Sequence, residues 1–485
     1  MAATHPVNTF AHLVLIAFAP AASLLFRVLS LQWAVSITVT AGFLFLPILE
    51  IPVKGLPDYT KSIAISAAII MGFAVRGKKL PRIPKIRWWD IAFTAWIFAL
   101  PIAYILNNYP IYSAASALFA NVMLWAVPYW TGRTCFKSAE SAKILLNCIV
   151  IAGLAYVPLA AWEVRMSPQL HTQVYGEFQH SFGQMMRGDG FRPIVFTEHA
   201  LVLALWFGTV LIAATSLRQL GKNAPRWSHK AWWLMPVFIL MIPMCKSLGA
   251  TVLGFTATAS VALRSCRYAL LIFILAAMSY VMARIFFDEG TYQAISSLLD
   301  YLPPERAQSF QFRMDNERLL LARAWDQPWI GWVKEGFRNV ATEGLLPGEA
   351  SVNVVTDSMW IIVFGTTGFM GIFTLYPALI AGATRCYWDA SVRQLTECKA
   401  LSAIVAILML DTVSNGWFGP VATLATGAAL SVGAAKEPKP NANSSPKKNP
   451  TNPLRPRASK QAALGRRSHD LPTTNLAGPG RISPP

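Results

Sequence analysis

The sequence has 485 residues, of which 54% are hydrophobic and only 14% are charged, and its formal net charge is +18. This composition excludes a water-soluble globular protein. Apolar stretches long enough to cross a bilayer as helices recur along the chain. They lack the alternation of a membrane β-barrel. The sequence therefore predicts an all-α fold, a polytopic transmembrane helical bundle of about 12–13 spans.

The predicted spans cover residues 11–29, 31–50, 61–76, 88–107, 111–130, 143–163, 194–216, 231–246, 247–263, 267–287, 356–383, 399–413 and 417–434. Lys and Arg residues concentrate in alternate connections between these spans, which the positive-inside rule assigns to the cytoplasm. An odd number of crossings separates the basic connections from two long ones, residues 165–193 and 288–355. The sequence therefore predicts that 165–193 and 288–355 are periplasmic loops of a bacterial inner-membrane protein. The side of the N-terminus stays open.

The C-terminal segment differs from the rest of the chain. Residues 436–485 hold ten basic and two acidic residues, ten prolines and almost no large apolar side chains. Such a segment cannot bury enough apolar surface to fold. The sequence thus predicts a transmembrane domain over residues 1–435 and a disordered, basic cytoplasmic tail over 436–485. We assign the excess positive charge to topology and to contact with membrane lipids rather than to nucleic acid.

Few ionisable residues occur in mid-span, where a channel or transporter would place them. The unusual charges occur at the predicted outer helix ends and in the two long loops. They are Glu163, Arg165, Arg187, Asp189, Arg192, Glu198, His199, Lys246, Arg284, Arg306, Arg313, Asp357 and Asp411. A functional site would therefore lie at the periplasmic surface of the membrane.

Prolines bound a predicted helix over residues 305–326 in the second long loop. Arg306 and Arg313 lie two turns apart at the edge of its apolar face. Two interpretations are open for these arginines. They snorkel beside the apolar face, with Arg313 paired to Glu317, or they form a clamp for a diphosphate, whose oxygens match the guanidinium fork.

Several sequence segments occur in a characteristic order. The segments 305–313 (ERAQSFQFR) and 324–332 (AWDQPWIGW) are followed by Asp357-Ser358 and, after nine residues, by Gly368-Phe-Met-Gly371. Upstream lie the segments from Arg187 to His199 and from Lys246 to Ala250. In this order they resemble the O-antigen ligase and polymerase superfamily, over about residues 160–420. Ligases of that superfamily have a His where this chain has Asp357.

The resemblance implies an inverting, metal-independent glycosyltransferase that needs no cofactor. Its donor would be an undecaprenyl-diphosphate-linked glycan and its acceptor another glycan. Arg306, Arg313, Arg192 and Lys246 would bind the diphosphate. Asp357 would be the general base, with His199 as the reserve candidate. A second interpretation makes Asp357 a helix N-cap, because Asp is favoured just before an apolar helix.

Three activities are weighed for this chain. We expect polymerisation of exopolysaccharide or O-antigen repeat units at the periplasmic face, with a polysaccharide chain-length regulator as a possible partner. An O-antigen ligase, which transfers glycan to lipid A core or protein, is the alternative, but ligases keep the His that this chain lacks. A flippase or transporter of lipid-linked glycan belongs to another class and would need charge in mid-membrane and usually an internal repeat.

Other residues of the resembling segments have more than one interpretation. Gly368 and Gly371 stand three apart among apolar residues, a spacing that favours close helix packing over chemistry. Trp325, Trp329 and Trp332 either stack on sugar rings or belong to the aromatic belt at the membrane interface.

Overall fold

A computed structural model describes residues 8–77, 81–179, 182–187, 190–223, 234–299, 301, 304–337, 339–340, 352–353, 358–416 and 418–434. The described chain is mostly helical and belongs to one compact unit, Met1–Glu437. The predicted disordered tail, 436–485, lies outside the described residues.

The helices are, in chain order, α1 (Thr9–Val28), α2 (Leu31–Phe45), α3 (Lys61–Arg76), α4 (Trp88–Leu106), α5 (Ile111–Asn121), α6 (Val127–Cys135), α7 (Ala139–Met166), α8 (Leu170–Tyr175), α9 (Ala200–Gln219), α10 (Leu234–Met244), α11 (Leu248–Ala262), α12 (Ala269–Phe286), α13 (Asp288–Leu299), α14 (Pro304–Trp325), α15 (Val333–Phe337), α16 (Met359–Trp388), α17 (Thr396–Asp411) and α18 (Pro420–Ala429). Two short strands, β1 (Asn339–Val340) and β2 (Val352–Asn353), pair antiparallel.

Seven helical stretches within the described residues are long and apolar enough to cross a membrane. They are α1, α4, α7, α9, α16, the stretch Ile111–Cys135 that joins α5 to α6, and the stretch Arg264–Phe286 that contains α12. Helices also occur at the other six predicted spans, but these have only 10–16 residues. The structure therefore indicates a membrane protein with seven candidate spans, and the higher count stays a prediction.

The shorter helices end where the backbone cannot continue as a helix. α2 stops at Phe45, just ahead of Pro47, because a proline disfavours the helical conformation of the residue before it. α10 is followed by Lys246, whose φ of 50° is the left-handed conformation. That conformation turns the chain between α10 and α11 and fixes the position of Lys246.

α9 and α17 form the centre of the bundle, and almost all of their side chains are buried. α9 packs against α7, α11 and α17. A methyl group added at Gly208 of α9 would lie 3.4 Å from the Cα of Gly254 in α11. Such small residues allow the close backbone approach that is typical of membrane helices. The helix ends that carry the candidate site are therefore supported by a tightly packed core.

α16 is kinked at Gly368, which has φ 62° and ψ −158°. The turn formed by residues 328–331 packs into this kink, where the Phe369 N–H donates to the Pro328 carbonyl at 2.7 Å. A Cβ added at Gly368 would lie 2.4 Å from the carbonyl carbon of Trp329. The prediction that Gly368 serves close packing is therefore confirmed, and two of the resembling segments contact each other.

The second long loop carries helices, as predicted, and the first long loop carries a helix as well. α8 lies in the first loop, and α13, α14 and α15 lie in the second. The helix predicted over 305–326 is confirmed as α14, and Met314 and Leu321 on its predicted apolar face are buried. Phe310 and Trp325 on the same face are partly exposed. The side of the membrane that the loops face stays a prediction.

Candidate functional site

Glu163, near the end of α7, fixes the first long loop to the helix bundle. Its carboxylate is fully buried and accepts the backbone N–H groups of Leu170 at 3.0 Å, Ile194 at 2.8 Å and Val195 at 2.7 Å. Hydrogen bonds to a charged acceptor are stronger than those to a neutral one. Glu163 therefore determines where the loop lies, and with it the position of Arg192.

The first loop places Arg192 against the turn between α10 and α11. The Nε of Arg192 donates to the Cys245 carbonyl at 3.3 Å, and the Nζ of Lys246 donates to the Arg187 carbonyl at 2.6 Å. The Nη1 of Arg187 donates in return to the Lys246 carbonyl at 3.4 Å. The structure thus brings Arg192 and Lys246, two predicted diphosphate-binding residues, into one cluster together with Arg187.

Arg192 is buried, and part of its guanidinium group has no hydrogen-bond partner within the described residues. It is 4% exposed, and its Nη2 has no partner within the described residues. Burial lowers the pKa of Arg192 to about 10, and the positive charges of Arg187 and Arg313 act in the same direction. A buried guanidinium among like charges would be stabilised by an anion that accepts its remaining N–H groups. The arrangement therefore suits an anionic ligand.

Arg313 lines a cavity of about 170 Å³ formed by α12, α14, the start of α16 and the turn after α17. Glu317, Ser358 and Ser414 contribute polar groups to its wall, and Phe310 contributes an apolar surface. The charge of Arg313 acts on Arg192, so the two long loops lie at the same end of the bundle. Arg313 therefore lies within electrostatic range of Arg192, which contacts the turn that carries Lys246.

Glu317 holds α14 against the neighbouring helices. Its carboxylate accepts hydrogen bonds from the Ser358 hydroxyl and, at 3.2 Å, from the Tyr280 hydroxyl, and the Nη2 of Arg284 lies 3.7 Å away. Burial raises the pKa of Glu317, while these hydrogen bonds and the charge of Arg284 oppose that shift. The network joins α12, α14 and the start of α16. Because Glu317 lies one turn after Arg313 in α14, the network also fixes the position of Arg313.

Asp411, the last residue of α17, is a buried carboxylate near the same cavity. Its Oδ1 accepts a hydrogen bond from Asn415 at 2.8 Å, and its Oδ2 has no partner within the described residues. The charge of Arg313 acts on Asp411. The N–H of Met359 donates to the Thr412 carbonyl at 3.0 Å, so the end of α17 adjoins the start of α16. The sequence shows Asp411 as an unusual charge, but no spacing rule connects it with Arg313.

Two predicted site residues fall outside what the structure describes. The Arg306 backbone lies in α14, two turns before Arg313, but its side chain lies outside the described residues. Asp357 also lies outside them. α16 begins at Met359, so Ser358 rather than Asp357 holds its N-cap position. The N-cap position that the second interpretation gave to Asp357 therefore belongs to Ser358, one residue later. The role of Asp357 as a base stays a prediction.

His199, the reserve base, is the N-cap of α9. Its Nδ1 accepts the N–H of Leu201 at 3.0 Å, and the residue is buried. An Nδ1 that accepts an amide hydrogen is unprotonated, so in the neutral imidazole the proton is on Nε2. Capping of this kind is a structural role, and catalysis by His199 stays a prediction.

Comparison with known proteins adds no family to these observations. No protein-family model matches the chain, and no curated protein matches it. Within the described residues, no group of three or more His, Cys, Asp or Glu side chains is arranged to hold a metal ion. The fold defines a helical membrane protein with a cationic cluster at one end, and the likeness to O-antigen ligases and polymerases rests on the sequence segments alone.

Proposed function

We propose that this chain is an inner-membrane glycosyltransferase that polymerises exopolysaccharide or O-antigen repeat units at the periplasmic face. Its donor is an undecaprenyl-diphosphate-linked glycan, and its acceptor is another glycan. The transfer inverts the anomeric carbon and requires no metal ion. The resembling sequence segments and the cluster around Arg192 and Arg313 support this proposal.

The convergence of Arg192, Lys246 and Arg313 is the observation that carries the proposal. These residues come from three separate segments of the chain, and all lie at one end of the bundle beside candidate membrane spans. Guanidinium groups suit a diphosphate, because its oxygens accept paired hydrogen bonds. The Nη2 of Arg192 has no partner within the described residues. A lipid-linked donor would place its diphosphate at this level of the membrane.

The proposed reaction needs two contributions from the protein. The acceptor hydroxyl oxygen attacks the anomeric carbon, and the bond from that carbon to the diphosphate oxygen breaks, with its electron pair leaving on the diphosphate. Arg192 and Arg313 stabilise the departing negative charge, as preorganised donors do in other transferases. The hydroxyl proton passes to Asp357. Asp411 is a further carboxylate in reach of the Arg313 charge.

Substitution at Arg313 tests this assignment in purified protein that is supplied with a lipid-diphosphate glycan donor. Arg313→Ala should abolish glycan extension at an unchanged protein level in the membrane. Arg313→Lys should restore little, because an ammonium cannot reproduce the paired N–H groups of guanidinium. Arg318→Ala is the matched control on the same helix, since Arg318 is exposed and pairs with Glu289.

Activity equal to the wild type in the double variant Arg306→Ala and Arg313→Ala would eliminate the clamp. Equal loss in Arg313→Ala and Arg318→Ala would show that α14 tolerates no substitution, and the charge argument would then fail. Loss of activity confined to the Arg313 variants, together with weaker donor binding, is the expected result.

A further inference from the structure

A second and larger cavity, of about 560 Å³, lies at the other end of the bundle. Three helices that carry the candidate site at one end reach this cavity at the other. Gln219 ends α9, Lys399 lies in the first turn of α17, and Tyr387 lies near the end of α16. A helix of 20 residues such as α9 spans about 30 Å. The two cavities are therefore separated by roughly the thickness of the hydrocarbon layer.

Four basic side chains line this second cavity. Arg264 and Arg267 come from the connection between α11 and α12. Arg393 comes from the connection between α16 and α17, and Lys399 comes from α17 itself. None of the described residues that line the cavity is acidic. The carboxylate of Asp389, in the same connection, lies 3.3 Å from a different arginine. The cavity therefore concentrates positive charge that the described lining does not neutralise.

Apolar surface borders the same cavity. Leu263 lines it and is 52% exposed, and Tyr268 at the start of α12 is about as exposed. The Tyr268 ring stacks on Tyr387 at a centroid distance of 6.0 Å, and the guanidinium of Arg267 lies 4.5 Å from its centroid. One turn further along α12, Ile272 is exposed as well. A ligand that fits both surfaces has an anionic head and an apolar chain.

Positive charge that serves only topology needs no cavity, because flanking Lys and Arg residues act from a solvated loop. In this protein, basic residues from two connections converge on a concave site between candidate spans, which is an arrangement suited to phosphate head groups. We propose that the cavity lined by Arg264, Arg267, Arg393 and Lys399 binds the head group of an anionic phospholipid with more than one phosphate. This site is separate from the proposed catalytic cluster and does not depend on it.

Lipid binding to the full-length purified protein tests the proposal. Native mass spectrometry would compare cardiolipin, which has two phosphates, with the zwitterionic lipid phosphatidylcholine. Cardiolipin should bind the wild type at least about tenfold more tightly, and the double variant Arg264→Gln and Arg393→Gln should lose about tenfold or more of that affinity. Arg82→Gln is the control, because Arg82 is an exposed arginine at the same end of the bundle but does not line the cavity. It precedes α4, whose Trp89 contacts Trp388 at the end of α16.

Unchanged cardiolipin affinity in the double variant would overturn the proposal, as would an equal loss in Arg82→Gln. Inorganic pyrophosphate serves as the soluble probe: binding as tight as that of cardiolipin would assign the site to a free phosphate compound and overturn the lipid assignment. Thermal unfolding shows whether the double variant is folded. If it is not, the single variants Arg393→Gln and Lys399→Gln allow the same comparison.

Discussion

Replacing Glu163 with alanine should release the loop that carries Arg192 from the end of α7. The buried carboxylate accepts three backbone N–H groups, from Leu170, Ile194 and Val195, at 2.7–3.0 Å. Each such bond contributes about 1.5–3 kcal/mol, and the cost of burying the carboxylate offsets part of the sum. We expect a net loss of about 3 kcal/mol for the docked loop, which is a factor of about 10² in its opening equilibrium.

Hydrogen exchange measured by mass spectrometry tests this expectation. Peptides that contain Ile194 and Val195 should exchange about 100-fold faster in Glu163→Ala than in the wild type. Glu140→Gln is the matched control on the same helix, because Glu140 is 78% exposed and pairs with Lys143, an interaction of little energetic weight. Unchanged exchange of these peptides in folded Glu163→Ala protein would refute the anchoring role.

Three further predictions concern the kink, the base and the topology. Gly368→Ala should lower the stability of the protein by at least about 2 kcal/mol, because residue 368 has a positive φ and a close backbone contact. The change should appear as a lower Tm. Gly249→Ala should leave Tm unchanged, because a Cβ at residue 249 would have no atom within 4 Å. Asp357→Asn should lower turnover on the order of 10²-fold, with partial recovery in Asp357→His; near-wild-type turnover would leave the base unassigned. Alkaline phosphatase should be active when fused at Gly344, which is predicted to be periplasmic, and inactive when fused at Asn441, which is predicted to be cytoplasmic. The reverse result would invert the predicted topology.

The pattern of hydrophobic and charged residues was enough to predict the helical class and many helix positions. The prolines around residues 305–326 predicted α14 to within one residue at each end. Span length was less predictable, because a hydropathy pattern continues past residues that end a helix, such as Pro47 after α2. α2, predicted as a span over residues 31–50, ends at Phe45 for this reason and has 15 residues.

The candidate site could be predicted only in part. The unusual charges at helix ends and in the long loops included Arg192, Lys246 and Arg313. In the structure Arg192 contacts the turn that carries Lys246, and the charge of Arg313 acts on Arg192. The supporting contacts could not be inferred, because they join segments that are distant in sequence. Glu163 binds amides some thirty residues away in the next loop. Glu317 accepts hydrogen bonds from Tyr280 of α12 and from Ser358, just before α16.

The most direct test of the proposed function is glycan extension by the purified wild-type protein in sealed liposomes. An undecaprenyl-diphosphate-linked repeat unit would serve as both donor and acceptor, with EDTA present to remove divalent metal ions. We expect glycans longer than one repeat unit to form, with release of one undecaprenyl diphosphate for each new glycosidic bond. Movement of the lipid-linked unit across the bilayer without any new glycosidic bond, or no reaction at all, would contradict the account.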